Sequence, residues 1–176
     1  MKTNIALIGF MGTGKSATGK ILARILKKKY VEVDFLITQE AGKSIPQIFN
    51  DEGEIGFRDK EINVIKIIAC RENQLIDCGG GVVLNRINID RLKQDAVIVW
   101  LTASPDEILR RIAPEREGRP LMKGKVKKSE IRSLLNFRKP FYERSADLVI
   151  DTSNLSIEMV ASRIIRELQE YEIFNP

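Results

Sequence analysis

Five short runs of apolar and β-branched residues recur along the chain, at residues 4–8, 30–34, 74–78, 96–101 and 148–151, each bounded by Gly, Asp, Thr or Ser. Runs of that length closed by turn formers read as strands. Between them the apolar positions fall at helical spacing. Ile21, Leu22, Ile25 and Leu26 follow the first run, and Val160, Ile164, Ile165 and Leu168 follow the last. Start signals mark further helices: Ser104-Pro105-Asp106-Glu107 offers a cap, an early proline and an acid in the first turn, and Ser44-Ile45-Pro46-Gln47 reads similarly. Helical stretches are also expected over residues 52–70 and 129–145.

Strands that are nearly continuous in apolar character, joined by helices, predict a parallel sheet buried on both faces. The expected architecture is a three-layer α/β/α sandwich with a five-stranded parallel sheet. Ligands of such sheets bind beyond the carboxyl ends of the strands, so the residues just past each run are where chemistry is to be sought. One stretch departs from the pattern: residues 114–128 are rich in Arg, Lys, Gly, Glu and Pro and read as a mobile loop. No repeat or linker interrupts residues 1–176, so one domain is expected.

Composition narrows this picture modestly. A hydrophobic share of 43% with 30% charged residues fits a chain that folds in water and gives no sign of a membrane span. The net charge of +5 suits nucleic acid or small polyanions equally. Cys70 and Cys78 lack metal-cluster spacing and read as reduced thiols. The first apolar run, ending at Gly9, is too short for a signal peptide, so a cytoplasmic location is expected. There is no histidine, so any general base must be another group.

The first run leads into Gly9-Phe10-Met11-Gly12-Thr13-Gly14-Lys15-Ser16, which meets G-x-x-x-x-G-K-[ST] at every fixed position. Glycines let successive N–H groups turn inward, and the following helix adds its positive end to an anion site. Lys15 is expected to reach the β- and γ-phosphates and the Ser16 hydroxyl to ligate Mg²⁺. No Asn-Lys-x-Asp guanine signature occurs, so Mg-ATP is the expected occupant.

The second run ends Glu32-Val33-Asp34, where strand alternation would place both carboxylates on one side. Asp34 is the best-placed acid to orient or deprotonate an acceptor hydroxyl; the competing reading is a cap on the next helix. Asp77 ends the third run either as an acid holding a metal-bound water or as an ordinary strand-end Asp. Gly79-Gly80-Gly81 follows, offering backbone N–H groups to a ligand or simply making a turn. Arg58 and Arg138 have the fork geometry for a carboxylate, though single arginines usually lie solvated on a surface. Arg116 and Arg119 fall in the loop, where a mobile arginine could close over ATP. Trp100 and Cys78 are assigned to packing.

Taken in order, the glycine loop, Asp34, Phe57-Arg58 with Glu61, Gly79-Gly80-Gly81, Arg119-Pro120-Leu121 and Arg138-Lys139-Pro140-Phe141-Tyr142 resemble the shikimate kinase family over nearly the whole chain. The resemblance implies a P-loop NTPase fold with a mobile lid at about 113–127 and a shikimate-binding region at about 32–61. It implies transfer of the γ-phosphoryl group of ATP to the 3-hydroxyl of shikimate, a step toward chorismate and the aromatic amino acids. Lys15, Asp34 and Arg119 would be catalytic. Gly12, Thr13, Gly14, Ser16 and Ala17 would join Lys15 and Arg119 on ATP, with Arg110 or Arg111 beside adenine near residues 152–155. Arg58, Arg138, Asp34 and the backbone of Gly79, Gly80 and Gly81 would hold shikimate. Two departures touch the metal shell: Glu32 stands where the family usually has Asp, and Asp77 where it is commonly small or uncharged. Either could hold a magnesium-bound water beside Ser16.

Three other readings compete. Another small-metabolite or nucleotide kinase of the same fold would not require both Arg58 and Arg138 for a neutral sugar. A non-catalytic regulator would not need Lys15, Ser16, Asp34 and Arg119 together. A nucleic-acid binder would interleave stacking aromatics with its basic residues, and aromatics total only 6%. The partners expected are shikimate and ATP, without nucleic acid or membrane, for a monomer.

Overall fold

Every side chain of β1 (Asn4–Ile8) is buried, as a strand covered on both faces requires. This strand lies at the centre of a computed structural model that describes residues 2–112 and 128–171. With β2 (Lys29–Glu32), β3 (Gln74–Asp77), β4 (Ala96–Thr102) and β5 (Leu148–Asp151) it forms an all-parallel sheet in the order β2-β3-β1-β4-β5. Leu7 sits opposite Asp77 on one side and Val99 on the other.

The helices are α1 (Lys15–Ile25), α2 (Val33–Ala41), α3 (Ile45–Ile68), α4 (Arg86–Asp95), α5 (Pro105–Ile112), α6 (Lys128–Ser145) and α7 (Ile157–Gln169). Strand alternation splits the core in two. Ile5, Leu7, Val97 and Val99 pack with Leu22 of α1 and Ile164 of α7, while Ala6, Ile8 and Ile98 pack with Ile65 of α3 and Leu92 of α4 on the opposite face. The expected three layers follow from this division. A smaller cluster of Phe10, Ile108, Ile112 and Ile131 seats α5 and α6 beside the loop after β1. Trp100 stacks on Tyr142 with ring centroids 5.3 Å apart, a packing role as expected. Among the described residues no helix is long and apolar enough to cross a membrane.

Both predicted caps are present. Ser44 accepts from the Gln47 N–H at 3.4 Å while Gln47 Oε1 accepts from the Ser44 N–H at 2.8 Å, and Ser104 accepts from the Glu107 N–H at 3.2 Å. One boundary differs from expectation. The second strand ends at Glu32, so Asp34 lies in the first turn of α2 and not on the strand. Helix α3 begins at Ile45, as the Ser44 signal predicts, and joins the stretch expected at 52–70 through a break at Gly53, with φ 69° and ψ −173°. The expected lid, with Arg116, Arg119, Pro120 and Leu121, lies outside the described residues.

Candidate functional site

A cleft of about 1180 Å³ opens at the carboxyl ends of β1, β2 and β3. Because β1 and β3 are neighbours, the loop after β1 and the three glycines after β3 face the same space.

The glycine loop is held tightly. Gly9, Gly12 and Gly14 take φ of 146°, 74° and 89°, values open to glycine and rarely to others. A Cβ at Gly12 would come within 2.8 Å of Ile112, so α5 packs directly on the loop. Thr13 Oγ1 donates to Phe10 O at 2.7 Å, and Lys15 Nζ reaches back to Gly9 O at 3.0 Å and Phe10 O at 3.1 Å. Gly14 caps α1, whose exposed first turn carries Ser16 and Ala17. Backbone donors, a lysine and a helix N-terminus together make a phosphate cradle.

Three acids stand beside it. Glu32 and Asp77 are register partners on β2 and β3. Burial, then the nearby Asp77 and Asp34 charges, raise the Glu32 carboxyl above its usual range, with Lys20 opposing. Asp77 accepts from the Tyr30 phenol at 2.9 Å, and burial together with the Asp77 charge pushes that phenol far above the ordinary tyrosine range. The Ser16 hydroxyl approaches the same phenol. Among the described residues no group of three or more His, Cys, Asp or Glu is arranged to hold a metal by itself.

The far wall is built around Arg58 and Arg138. Arg58 Nη1 donates to both oxygens of Glu61, at 3.0 and 3.1 Å, and Nη2 to Glu54 at 3.1 Å. Glu61 is fully buried, and desolvation raises its carboxyl to about 7 against the pull of Arg58. Arg138 is 5% exposed, lies over the Phe10 ring and donates from Nη1 to Gly80 O at 3.3 Å, while its buried Nε has no hydrogen-bond partner among the described residues. A buried guanidinium with an unused donor suits an anionic ligand. Tyr142 O–H also donates to Gly80 O, at 2.6 Å.

The three glycines are not there for turning, since none of them has positive φ. A Cβ at Gly79 would sit 2.8 Å from Asp34 Oδ1 and one at Gly81 would land on the Arg58 guanidinium, whereas one at Gly80 would find only ordinary contacts, 3.4 Å from Gly9 O and 3.6 Å from Arg138 Nη1. Gly79 and Gly81 thus clear space for Asp34 and Arg58. Asp34 itself does not cap α2, whose cap position is Glu32 without a side-chain hydrogen bond.

At the other end of the cleft Arg110 and Arg111 diverge. Arg110 is 74% exposed and pairs with Glu107. Arg111 turns inward to Gly12 O at 3.2 Å and to Thr152, and the two arginines hold the Glu107 carboxyl down at about 2. The sequence alone assigns Tyr30 no role beyond its strand, Glu107 only a place in a helix start and residue 152 only a place near adenine. The partners of Tyr30 and Thr152, Asp77 and Arg111, are remote along the chain and no local spacing carries that information, whereas Glu107 meets Arg110 and Arg111 three and four residues on.

A family model described as shikimate kinase matches residues 11–169. The chain is 45% identical over 166 residues to a shikimate kinase of Thermodesulfovibrio yellowstonii, covering 94% of this chain and 95% of that protein. It is 39% identical over 168 residues to one of Pelotomaculum thermopropionicum, covering 96% of each. Among solved structures it is similar to a shikimate kinase from Acinetobacter baumannii in complex with shikimate, with TM-score 0.92, 31% identity and coverage of 98% and 96%.

Proposed function

The chain belongs to the shikimate kinase family, and from that premise we propose that it transfers the γ-phosphoryl group of ATP to the 3-hydroxyl of shikimate, giving shikimate 3-phosphate and ADP. The observation that carries this reading is the single cleft with a phosphate cradle at one side and Asp34, Arg58 and Arg138 at the other. Loop N–H groups and Lys15 neutralise the transferring phosphoryl as charge shifts toward the leaving ADP. Arg58 and Arg138 clamp the acceptor carboxylate, with the donor of Arg138 Nε adding to the fork. Asp34, beside Gly79, takes the proton of the attacking hydroxyl. We assign residues 32–61, completed by Gly79, Gly80, Gly81 and Arg138, to acceptor binding.

Magnesium fits this site as an ion bound mainly by phosphates and waters. Ser16 offers one oxygen, and Glu32, raised first by burial and then by the Asp77 and Asp34 charges, stands where a cation relieves repulsion among carboxylates. Glu32 and Asp77 would hold its waters, and the ion supplies charge neutralisation on the phosphates. We also propose that the chain works in the cytoplasm as a single-domain monomer, without nucleic-acid or membrane partners; its free cysteines, Cys70 exposed and Cys78 buried, support the reducing compartment.

A coupled ADP-release assay with Mg-ATP and a panel of acceptors tests the reading. Turnover is expected on shikimate and little on a neutral sugar or a nucleoside monophosphate. Absence of turnover on shikimate overturns it.

A further inference from the structure

Thr152 lies just past β5, is 2% exposed, and gathers more polar contacts than a loop threonine needs. Its N–H donates to Thr102 O at 2.9 Å. Its hydroxyl accepts from Arg111 Nη1 at 2.9 Å and lies 2.9 Å from Thr102 O and 3.1 Å from Thr13 O. Its carbonyl accepts from Arg111 Nη2 at 2.8 Å. Arg111 in turn is fixed by Glu107 at 2.7 Å and donates to Gly12 O.

Two consecutive carbonyls of the phosphate loop are therefore engaged by side chains more than ninety positions away in sequence, Gly12 O by Arg111 and Thr13 O by the Thr152 hydroxyl, whose one proton it shares with Thr102 O. A trans peptide is planar, with its C=O and N–H pointing in opposite directions. Holding Gly12 O turns the Thr13 N–H across the loop, where it donates to Phe10 O at 3.4 Å and closes the turn. Holding Thr13 O turns the Gly14 N–H away from Thr152, and Gly14 itself lines the cleft. Gly14 has no side chain and a left-handed φ, so its own torsions would not fix that orientation.

We propose that Thr152 is a positioning residue for phosphoryl transfer: with Arg111 it fixes the Thr13–Gly14 peptide so that the Gly14 N–H is presented to the phosphates of the nucleotide. The inference rests on the nucleotide-binding half of the functional reading. Losing the hydroxyl leaves Thr13 O and one Arg111 donor without their partner, and the peptide can rotate. Thr152→Val keeps the shape and removes the hydroxyl, whereas Thr152→Ser keeps the hydroxyl.

The test is displacement of a fluorescent ADP analogue from the full chain by ADP and by AMP. Thr152→Val is expected to weaken ADP about tenfold, the factor for a loss of about 1.4 kcal/mol. AMP, with fewer phosphates on the loop, should weaken less, and Thr152→Ser should stay within about threefold of the parent for both. Equal weakening of ADP and AMP, a serine variant as poor as the valine one, or unchanged ADP affinity in Thr152→Val would each overturn the proposal. Thr152→Ala makes the same comparison should the valine variant fail to fold. Since no acceptor enters the experiment, a chain that bound ADP as expected yet did not phosphorylate shikimate would refute the reaction and leave this inference standing.

Discussion

Replacing Gly81 by alanine should damage acceptor binding while leaving the fold intact. The backbone at Gly81, φ −103° and ψ 0°, is open to alanine, so no backbone strain arises. The new Cβ would lie within 2.6 Å of Arg58 Cζ, and the guanidinium, at the end of a flexible side chain, is what must move. It would give up bonds of 3.0 and 3.1 Å to Glu61 and its place in the proposed carboxylate clamp. A charge-assisted hydrogen bond contributes about 1.5–3 kcal/mol, so KM for shikimate should rise roughly 10- to 150-fold. Stability should suffer less, because Glu61, already raised to about 7, can take up a proton when its partner leaves. A Tm loss no larger than about 5 °C is expected, given that 1 kcal/mol shifts a domain of this size by about 2–4 °C. Steady-state kinetics with shikimate and ATP varied separately would read the effect, and KM for ATP should hold. The decisive control is the double variant: with Arg58→Ala already in place, Gly81→Ala has little left to displace. An undiminished effect there, or an unchanged KM in the single variant, refutes the steric reasoning.

Three further outcomes are expected. Asp34→Asn should lower kcat by about 10²–10⁴-fold, the range for lost acid–base assistance, with ADP affinity nearly unchanged; near-normal turnover removes Asp34 from the chemistry. Glu61 has a folded-state pKa of about 7 against an ordinary 4.5, so the folded chain holds a proton that the unfolded chain releases. The resulting stability is fully present below the lower value and lost as pH rises through the higher one. Thermal unfolding of the parent and Glu61→Gln between pH 5 and 8 should show the parent losing ground steadily; parallel curves would contradict the shift. Tyr30→Phe frees Asp77 and should raise the Mg²⁺ concentration for half-maximal rate by about tenfold; an unchanged requirement detaches the Tyr30–Asp77 pair from the metal.

What the sequence made legible was whatever depends on near neighbours. Strand runs, the caps at Ser44 and Ser104 and the glycine loop each follow from periodicity or a few adjacent residues, and all were found close to their expected positions. Asp34 reached the cleft for a different reason than expected. Strand alternation was the argument, yet Val33 starts a helix and the first turn of α2 delivers the carboxylate. The helix start at Ser44 and the stretch at 52–70 were legible separately, and their joining through Gly53 was not, because one glycine within a helical pattern marks neither a stop nor a continuation. Burial of Glu61 and the bracing of the loop by Arg111 and Thr152 depend on contacts between segments far apart in the chain. Composition and spacing have nothing to say about such contacts.

Trp100 is the only tryptophan in the chain, and it stacks on Tyr142, whose hydroxyl bears on Gly80 O beside Arg138. A single indole in that position means that emission excited at the red edge, where the three tyrosines do not absorb, has one source, one bond network away from the proposed acceptor clamp. Emission intensity or wavelength can therefore be followed during a titration with shikimate, without a label and without nucleotide, and it separates acceptor binding from the events at the phosphate loop.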